Sequence, residues 1–429
     1  MPPYDGSHVP RRRFPPPLMR KYGLAALVVA IVAGLVTVAV SASPLLLVVG
    51  AKVYDQFFTA LDGPPAPIGT ADTTGAGPGS LISATTMPGL ASTVEAQHLH
   101  AARVIYRSTS GDDGSPTVVS GSVFTPRGNP PRGGWPVVAF GHGTVGIEPQ
   151  CGPSLSDSLD GQVNVVVVLT NLGYAVAVPD YQGLGSKGVH PYLDARTGGL
   201  NLIDAVRALR HTFTNVTDRW AAFGDSQGGA VAWAANEQAK GYAPELGLVG
   251  SVALSPSADL VGLVQKAEQG TLTPDQRPAM QLLVESLARI HPQINRDDFR
   301  RGAAKQYWNA LSVCVGDPSP QRAEGTKRLS GGDFAPATPA AADELTSVLQ
   351  GWALPQKPLS APLSVSYGGQ DPLVDAQWTT DAIHRACAQG GTVTIAFDPK
   401  KGHEGADIVG QIKWMSDRFA GKPAPNDCR

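Results

Sequence analysis

Trp220-Ala221-Ala222-Phe223-Gly224-Asp225-Ser226-Gln227-Gly228-Gly229 runs from a short apolar segment, through a Gly-x-Ser-x-Gly pentapeptide, into an alanine-rich stretch that reaches Lys240. Strand, tight turn and helix in that order make a nucleophile elbow, in which a strained backbone exposes the serine hydroxyl. Positions 224 and 228 must be small, because a side chain at either would meet the neighbouring strand or helix. The pattern points to acyl transfer through a covalent serine ester, with Ser226 as nucleophile.

A serine hydroxyl is a weak nucleophile at neutral pH. It needs a base, and the base needs an acid to fix its tautomer and stabilise its charged form. Around such an elbow the chain order is Ser, then Asp or Glu, then His. Asp371 follows a strand expected at 362–367 and so falls at its carboxyl end, where open α/β sheets place their sites. His403 sits in the loop after the last strand, 392–397. Asp375 is the rival acid, read instead as part of the next turn or helix start. His384 reads as a helix-surface residue and His291 falls in an insertion. His98, His100, His142, His190 and His211 precede the serine and break the order. The tetrahedral intermediate needs preorganised donors. One is the N–H of Gln227 at the first turn of the elbow helix. The other is assigned to Thr144, in the turn Gly141-His142-Gly143-Thr144 after a strand at 136–140, with His142 itself structural. This chemistry calls for no metal and no organic cofactor.

Around the elbow, buried apolar strands alternate with helices. Strands are expected at 103–107, 117–125, 136–140, 174–180, 248–254, 362–367 and 392–397, the first two forming a hairpin at a sheet edge. Residues 164–170 read either as a helix end or as a buried apolar segment. Helices are expected at 198–211, where Leu202, Ala205, Val206 and Leu209 share a face, and at 379–389. Continuous apolar strands separated by helices imply a mostly parallel sheet covered on both faces. The strand rhythm breaks at about 256–358. There Thr273 and Pro274 signal a helix start, and Met280, Leu283, Val284 and Leu287 fall on one face. That region reads as a helical lid inserted in the hydrolase-like domain, 101–429.

Residues 1–22 form a basic tail with Arg11, Arg12, Arg13, Arg20 and Lys21, and 23–51 carry no charge. A run of that length suffices to cross a bilayer, and the basic flank keeps the tail cytoplasmic. The expectation is a transmembrane signal anchor with the catalytic domain outside the cytoplasm, or a secreted protein if a signal peptide is cleaved after Ala42. Residues 52–100, rich in Pro, Gly, Thr and Ala, read as an N-terminal arm or linker. The net charge of −2 gives no field for nucleic acid, and no obligate protein partner is evident. The four cysteines, Cys151, Cys314, Cys387 and Cys428, show no CxxC spacing. In an exported chain an even count implies two disulfides, for which three pairings are open.

Several segments together resemble the secretory lipase family, the lipase A-like branch of the α/β-hydrolases. They are Arg103-Val104-Ile105-Tyr106-Arg107-Ser108, Gly141-His142-Gly143-Thr144-Val145-Gly146 with Cys151-Gly152-Pro153-Ser154, and Val178-Pro179-Asp180-Tyr181-Gln182-Gly183-Leu184-Gly185. His190-Pro191-Tyr192, the elbow, Gly369-Gln370-Asp371-Pro372-Leu373-Val374 and Gly402-His403 complete the set. The resemblance implies an α/β-hydrolase fold, the triad Ser226, Asp371 and His403, a lid between the sixth and seventh core strands, and disulfides Cys151–Cys314 and Cys387–Cys428. It also implies action on carboxylic esters, often acylglycerols. The sequence therefore reads as an exported serine ester hydrolase acting on lipid or other carboxylic esters. Acyl transfer or amide cleavage by the same triad, and a hydrolase-shaped surface protein without turnover, are the alternatives.

Overall fold

In the computed structural model, strands at 135–141, 175–179 and 216–225 lie side by side at the centre of one nine-stranded sheet. The structure describes residues 64–428 save 92, 94, 95 and 97. The basic tail and the 23–51 run lie outside the described residues. Among those described, no helix is long and apolar enough to cross a membrane.

The strands are β1 (Leu81–Thr86), β2 (Leu99–Thr109), β3 (Pro116–Pro126), β4 (Trp135–Gly141), β5 (Ala175–Pro179), β6 (Val216–Asp225), β7 (Gly247–Leu254), β8 (Leu363–Gly368) and β9 (Val393–Asp398). Their spatial order is β1-β2-β3-β5-β4-β6-β7-β8-β9. β1, β2, β3 and β5 pair antiparallel, and from β5 to β9 every pairing is parallel. The arm expected before the sheet contributes β1 and the start of β2, so the β2–β3 hairpin is not the sheet edge. β1 reads Leu-Ile-Ser-Ala-Thr-Thr, with too few large apolar residues to announce a strand.

The helices are α1 (Pro88–Ala91), α2 (Val163–Asn171), α3 (Ala195–Thr212), α4 (Gln227–Tyr242), α5 (Gly262–Glu268), α6 (Gln276–Ile290), α7 (Gly302–Leu311), α8 (Pro320–Arg328), α9 (Pro339–Trp352), α10 (Ala376–Ala388) and α11 (Ile408–Phe419). Because successive strand side chains alternate, each central strand feeds two cores. Val137, Ala139, Ala177, Trp220 and Ala222 pack under α3 and α4. Val138, Phe140, Val176, Ala221 and Phe223 pack under α2 and α11 through Val166, Leu169, Trp414 and Met415. The ambiguous 164–170 segment is therefore a helix whose inner face belongs to that second layer.

The interruption of the strand rhythm becomes five helices, α5 to α9, between β7 and β8. Met280, Leu283, Val284 and Leu287 on α6 are fully buried, with Phe299, Trp308, Leu345 and Leu349 around them. The Thr273 hydroxyl accepts from Gln276 N–H at 3.1 Å and donates to Pro372 O at 2.6 Å. It caps α6 and fastens it to the loop that carries Asp371. Residues Pro64–Arg429 cluster as one compact unit, so the helical segment is not a separate body.

Candidate active site

β6 ends at Asp225, α4 begins at Gln227, and the whole reversal falls on Ser226, at φ 56° and ψ −116°. An L-residue reaches this region only under strain, which the surroundings must hold in place. The flanking glycines explain how. A Cβ on Gly224 would land on Gly228 O, and one on Gly228 would land on Gly141 O. The strand–helix pair is thus closed to backbone contact, and Ser226 N–H donates to Leu254 O on the next strand at 2.9 Å.

β8 delivers Asp371 just beyond its carboxyl end. One carboxylate oxygen, Oδ1, accepts from the backbone N–H of Leu373 at 2.8 Å and of Val374 at 2.9 Å. The other, Oδ2, lies 2.7 Å from His403 Nδ1. The carboxylate only accepts, so Nδ1 carries the proton and Nε2 is free to receive one. Nε2 lies 2.9 Å from Ser226 Oγ. The loop that holds His403 is itself tied down by Ser255 Oγ, which donates to His403 O at 2.6 Å. The rival acid, Asp375, caps α10 by accepting from Gln377 N–H at 3.0 Å and stands 3.6 Å from Lys266 Nζ. Of the described histidines, the structure brings only His403 to Ser226 Oγ.

Burial pushes the His403 imidazole toward neutrality. The hydrogen bond and charge of Asp371, aided by Asp225 and Glu404, outweigh burial and raise its pKa above the ordinary value. Asp225 feels the reverse balance. Burial, with Glu404 nearby, pushes its carboxyl up to about 6 against the pull of His403.

The loop after β4 brings Gly143 and Thr144 beside the elbow, with position 143 close to Ser226 Cβ. Gln227 is the first residue of α4, so its N–H has no acceptor within the helix and is available to an anion. Side chains brace both positions. Thr144 Oγ1 stands 2.9 Å from the Tyr192 hydroxyl and 3.5 Å from Gln227 Oε1. The Gln227 amide nitrogen donates to His190 Nε2 at 3.0 Å, and His190 Nδ1–H donates to Gln182 O at 3.0 Å. Burial holds the His190 pKa down to about 3, which keeps the ring neutral, and Gln182 O, which can only accept, fixes the proton on Nδ1. Sequence reasoning set His190 aside because it precedes the serine. The one available signal was the His190-Pro191-Tyr192 segment, which carries no chemistry by itself. His142 is buried; its Nδ1 meets Gly143 O at 2.7 Å and its ring lies on Tyr181, 4.4 Å between centroids, which is a packing role.

A cavity of about 550 Å³ opens beside the site. Gly143, Thr144, Asp225 and His403 form its polar end, and Val165, Val168, Leu169, Phe223, Ile408 and Ile412 form apolar walls. Cys151 and Cys314 are bonded, with Cα atoms 5.3 Å apart, and so are Cys387 and Cys428, at 5.2 Å. The first joins the loop after β4 to the helical segment; the second joins α10 to the C-terminus. Among the described residues no group of three or more His, Cys, Asp or Glu could hold a metal ion.

A family model described as secretory lipase matches residues 154–427. The chain is 23% identical over 349 residues to a lipase, Lipase 6, of Candida albicans, spanning 73% of this chain and 72% of that protein. It is 27% identical over 360 residues to a probable inactive lipase of Mycobacterium tuberculosis, spanning 76% and 75%. Among solved structures, Candida antarctica lipase A in its closed state superposes with a TM-score of 0.67 at 18% identity, covering 85% of this chain and 87% of that one. A rice cell wall degrading esterase, LipA of Xanthomonas oryzae, gives 0.61 at 20% identity, covering 80% and 97%. At such identities the structures speak for an α/β-hydrolase fold alone.

Proposed function

The chain belongs to the secretory lipase family, and from that premise we propose that it is an exported carboxylic-ester hydrolase that cleaves lipid esters through an acyl-enzyme. The observation that carries the reading is the continuous hydrogen-bonded line from Asp371 through His403 to Ser226, at 2.7 and 2.9 Å. One relative is named as a probable inactive lipase; this chain carries serine, histidine and aspartate in hydrogen-bonding reach of one another.

Ser226 Oγ attacks the ester carbonyl carbon while its proton passes to His403 Nε2. The carbonyl oxygen becomes an oxyanion held by the N–H groups of Gln227 and Thr144. Collapse breaks the bond to the alkoxy oxygen, which takes the proton from His403 and departs as the alcohol. Water then gives a proton to the same nitrogen and attacks the acyl-enzyme, and collapse returns that proton to Ser226. Asp371 orients His403 and stabilises its cationic form throughout. The acyl group occupies the apolar cavity, whose lining includes His403, Gly143 and Thr144. The α5–α9 segment serves as the lid.

Two disulfides accord with export. The 23–51 run as a signal anchor is part of the same proposal, and N-terminal sequencing that starts just after Ala42 would overturn it. The test of function is a panel of esters of graded chain length, assayed for the intact chain and for Ser226→Ala. The substitution should lower turnover by at least about a thousandfold. Equal rates from both proteins would refute the assignment.

A further inference from the structure

The residue before the nucleophile is Asp225, and neither the elbow turn nor the triad calls for an acid there. It ends β6 and follows Phe223 by two, so its side chain leaves the same face of the sheet. Phe223 and its neighbour Phe140 on β4 are walls of the cavity beside His403, and Asp225 lines that cavity with them. The carboxylate is half-buried. The charges that weigh most on it are those of His403, Glu404 and Asp371, and no lysine or arginine stands among the described residues of the cavity wall. Desolvating a carboxylate with so little positive charge beside it costs stability. Position 225 therefore works against the fold, and its use is to be sought in the cavity.

Two further carboxylates face the same space. Glu404 follows His403 directly. Asp160 stands on a left-handed backbone, with Leu159 and Asp160 both at φ 51° and Gly161 at 87°. Side chains rarely adopt that conformation, and the fully buried Leu159 anchors it. Building on the esterase reading, with the acyl group in this cavity, we propose that Asp225 is a specificity-determining residue that selects the acyl group by charge: neutral and cationic chains are accepted, and a chain bearing a carboxylate near its carbonyl is rejected. A carboxylate carried into the cavity adds an anion to three others where little water screens them. A neutral group of the same shape adds none, and an ammonium group meets counter-charges already in place. Asp225 dominates because Asp160 and Glu404 are exposed and it is not, so its charge is screened least.

The test uses the intact chain and three soluble p-nitrophenyl esters of equal acyl length: the half-ester of adipic acid, its isosteric primary amide, and a trimethylammonium analogue. At a pH of about 8 the Asp225 carboxyl, which burial pushes up to about 6, is ionised. The amide ester should exceed the acid in kcat/KM by about tenfold, the repulsion of one added charge at roughly 8 Å under an effective dielectric of about 30. The ammonium ester should match or exceed the amide. Asp225→Asn should cut the amide-to-acid ratio at least about fivefold, Asp225→Glu should keep most of it, and Glu404→Gln should change it less than Asp225→Asn does. Each ratio compares two esters on one protein, so a shift in the basicity of His403 or in the folded fraction cancels. The proposal is overturned if the native chain cleaves acid and amide at equal rates, if Asp225→Asn leaves the ratio where it was, or if Asp225→Glu loses it as fully as Asp225→Asn. Failure of the esterase reading shows separately: the amide ester is not cleaved, or its cleavage survives Ser226→Ala.

Discussion

Tyr192→Phe isolates the brace behind the proposed oxyanion site. Tyr192 is almost fully buried in the core of the helical segment. Phenylalanine keeps the ring and deletes only the hydroxyl that stands 2.9 Å from Thr144 Oγ1. Thr144 then retains just the 3.5 Å contact to Gln227 Oε1, at the long limit for a hydrogen bond. A neutral hydrogen bond contributes about 1 kcal/mol net, and leaving its partner unsatisfied costs about 1–3 kcal/mol. Outright loss of an oxyanion donor costs about 10²–10³ in kcat, which is the ceiling. A loosened rather than deleted donor should therefore lower kcat by about 5- to 30-fold. The oxyanion exists only in the transition state and the intermediate, so KM should stay within about twofold. The assay is steady-state hydrolysis of a soluble ester, paired with the inhibition constant of a trifluoromethyl ketone whose adduct mimics the intermediate. The inhibition constant should weaken by the same factor as kcat. An unchanged kcat, or a loss confined to KM, would refute the idea that Tyr192 acts through Thr144.

The raised pKa of His403 places the acid limb of kcat/KM above 6.5, because the base must be neutral to accept the serine proton. Asp225→Asn removes one of the charges that raise it and should move that limb to lower pH in a pH–rate profile. Stability follows the same sign: the fold favours protonated His403, so the contribution is full below the unfolded value and fades as pH rises through the folded one. Removing Cys151–Cys314, which spans 163 residues, should destabilise by about 5 kcal/mol on loop entropy; removing Cys387–Cys428, which spans 41, by about 4. Thermal melts of the two double-alanine variants should show that order. Val165→Trp, which fills part of the 550 Å³ cavity, should shift the preferred acyl chain to shorter esters while leaving short-chain turnover near the native rate.

The centre of this molecule was readable because local chemistry dictates it. A strand that ends on Gly224 and a helix that starts on Gln227 leave Ser226 no relaxed backbone, and the two glycines state how close the chains must come. Asp371 could be placed because a strand was readable before it and the loop just past such a strand falls at the sheet's carboxyl edge; His403 was placed by chain order, in the loop after the last strand. β1 escaped notice for the converse reason. Paired with one strand, β2, and on its other edge only with the short segment at 66–68, it needs few apolar residues and looks like the loop it emerges from.

The brace of the oxyanion site was illegible for a different reason. His190, Tyr192, Gln227 and Thr144 meet only after β4, α4 and the segment before α3 have packed together; the sequence marks Gln227 and Thr144 for their N–H groups, but nothing local says that their side chains meet or that His190 and Tyr192 join them. Chain order even argued against His190, since a catalytic histidine should follow the serine. Order constrains the residue that moves the proton, because the sheet fixes which loops reach the nucleophile. It does not constrain a residue whose task is to hold an amide in place, since any loop that arrives at the right depth can do that. Burial then completes the assignment: a histidine held neutral at Nε2 can only accept, so the Gln227 amide must donate to it and turn its carbonyl toward Thr144. Sequence supplies the proposed reacting atoms, and packing supplies the brace around the proposed donors.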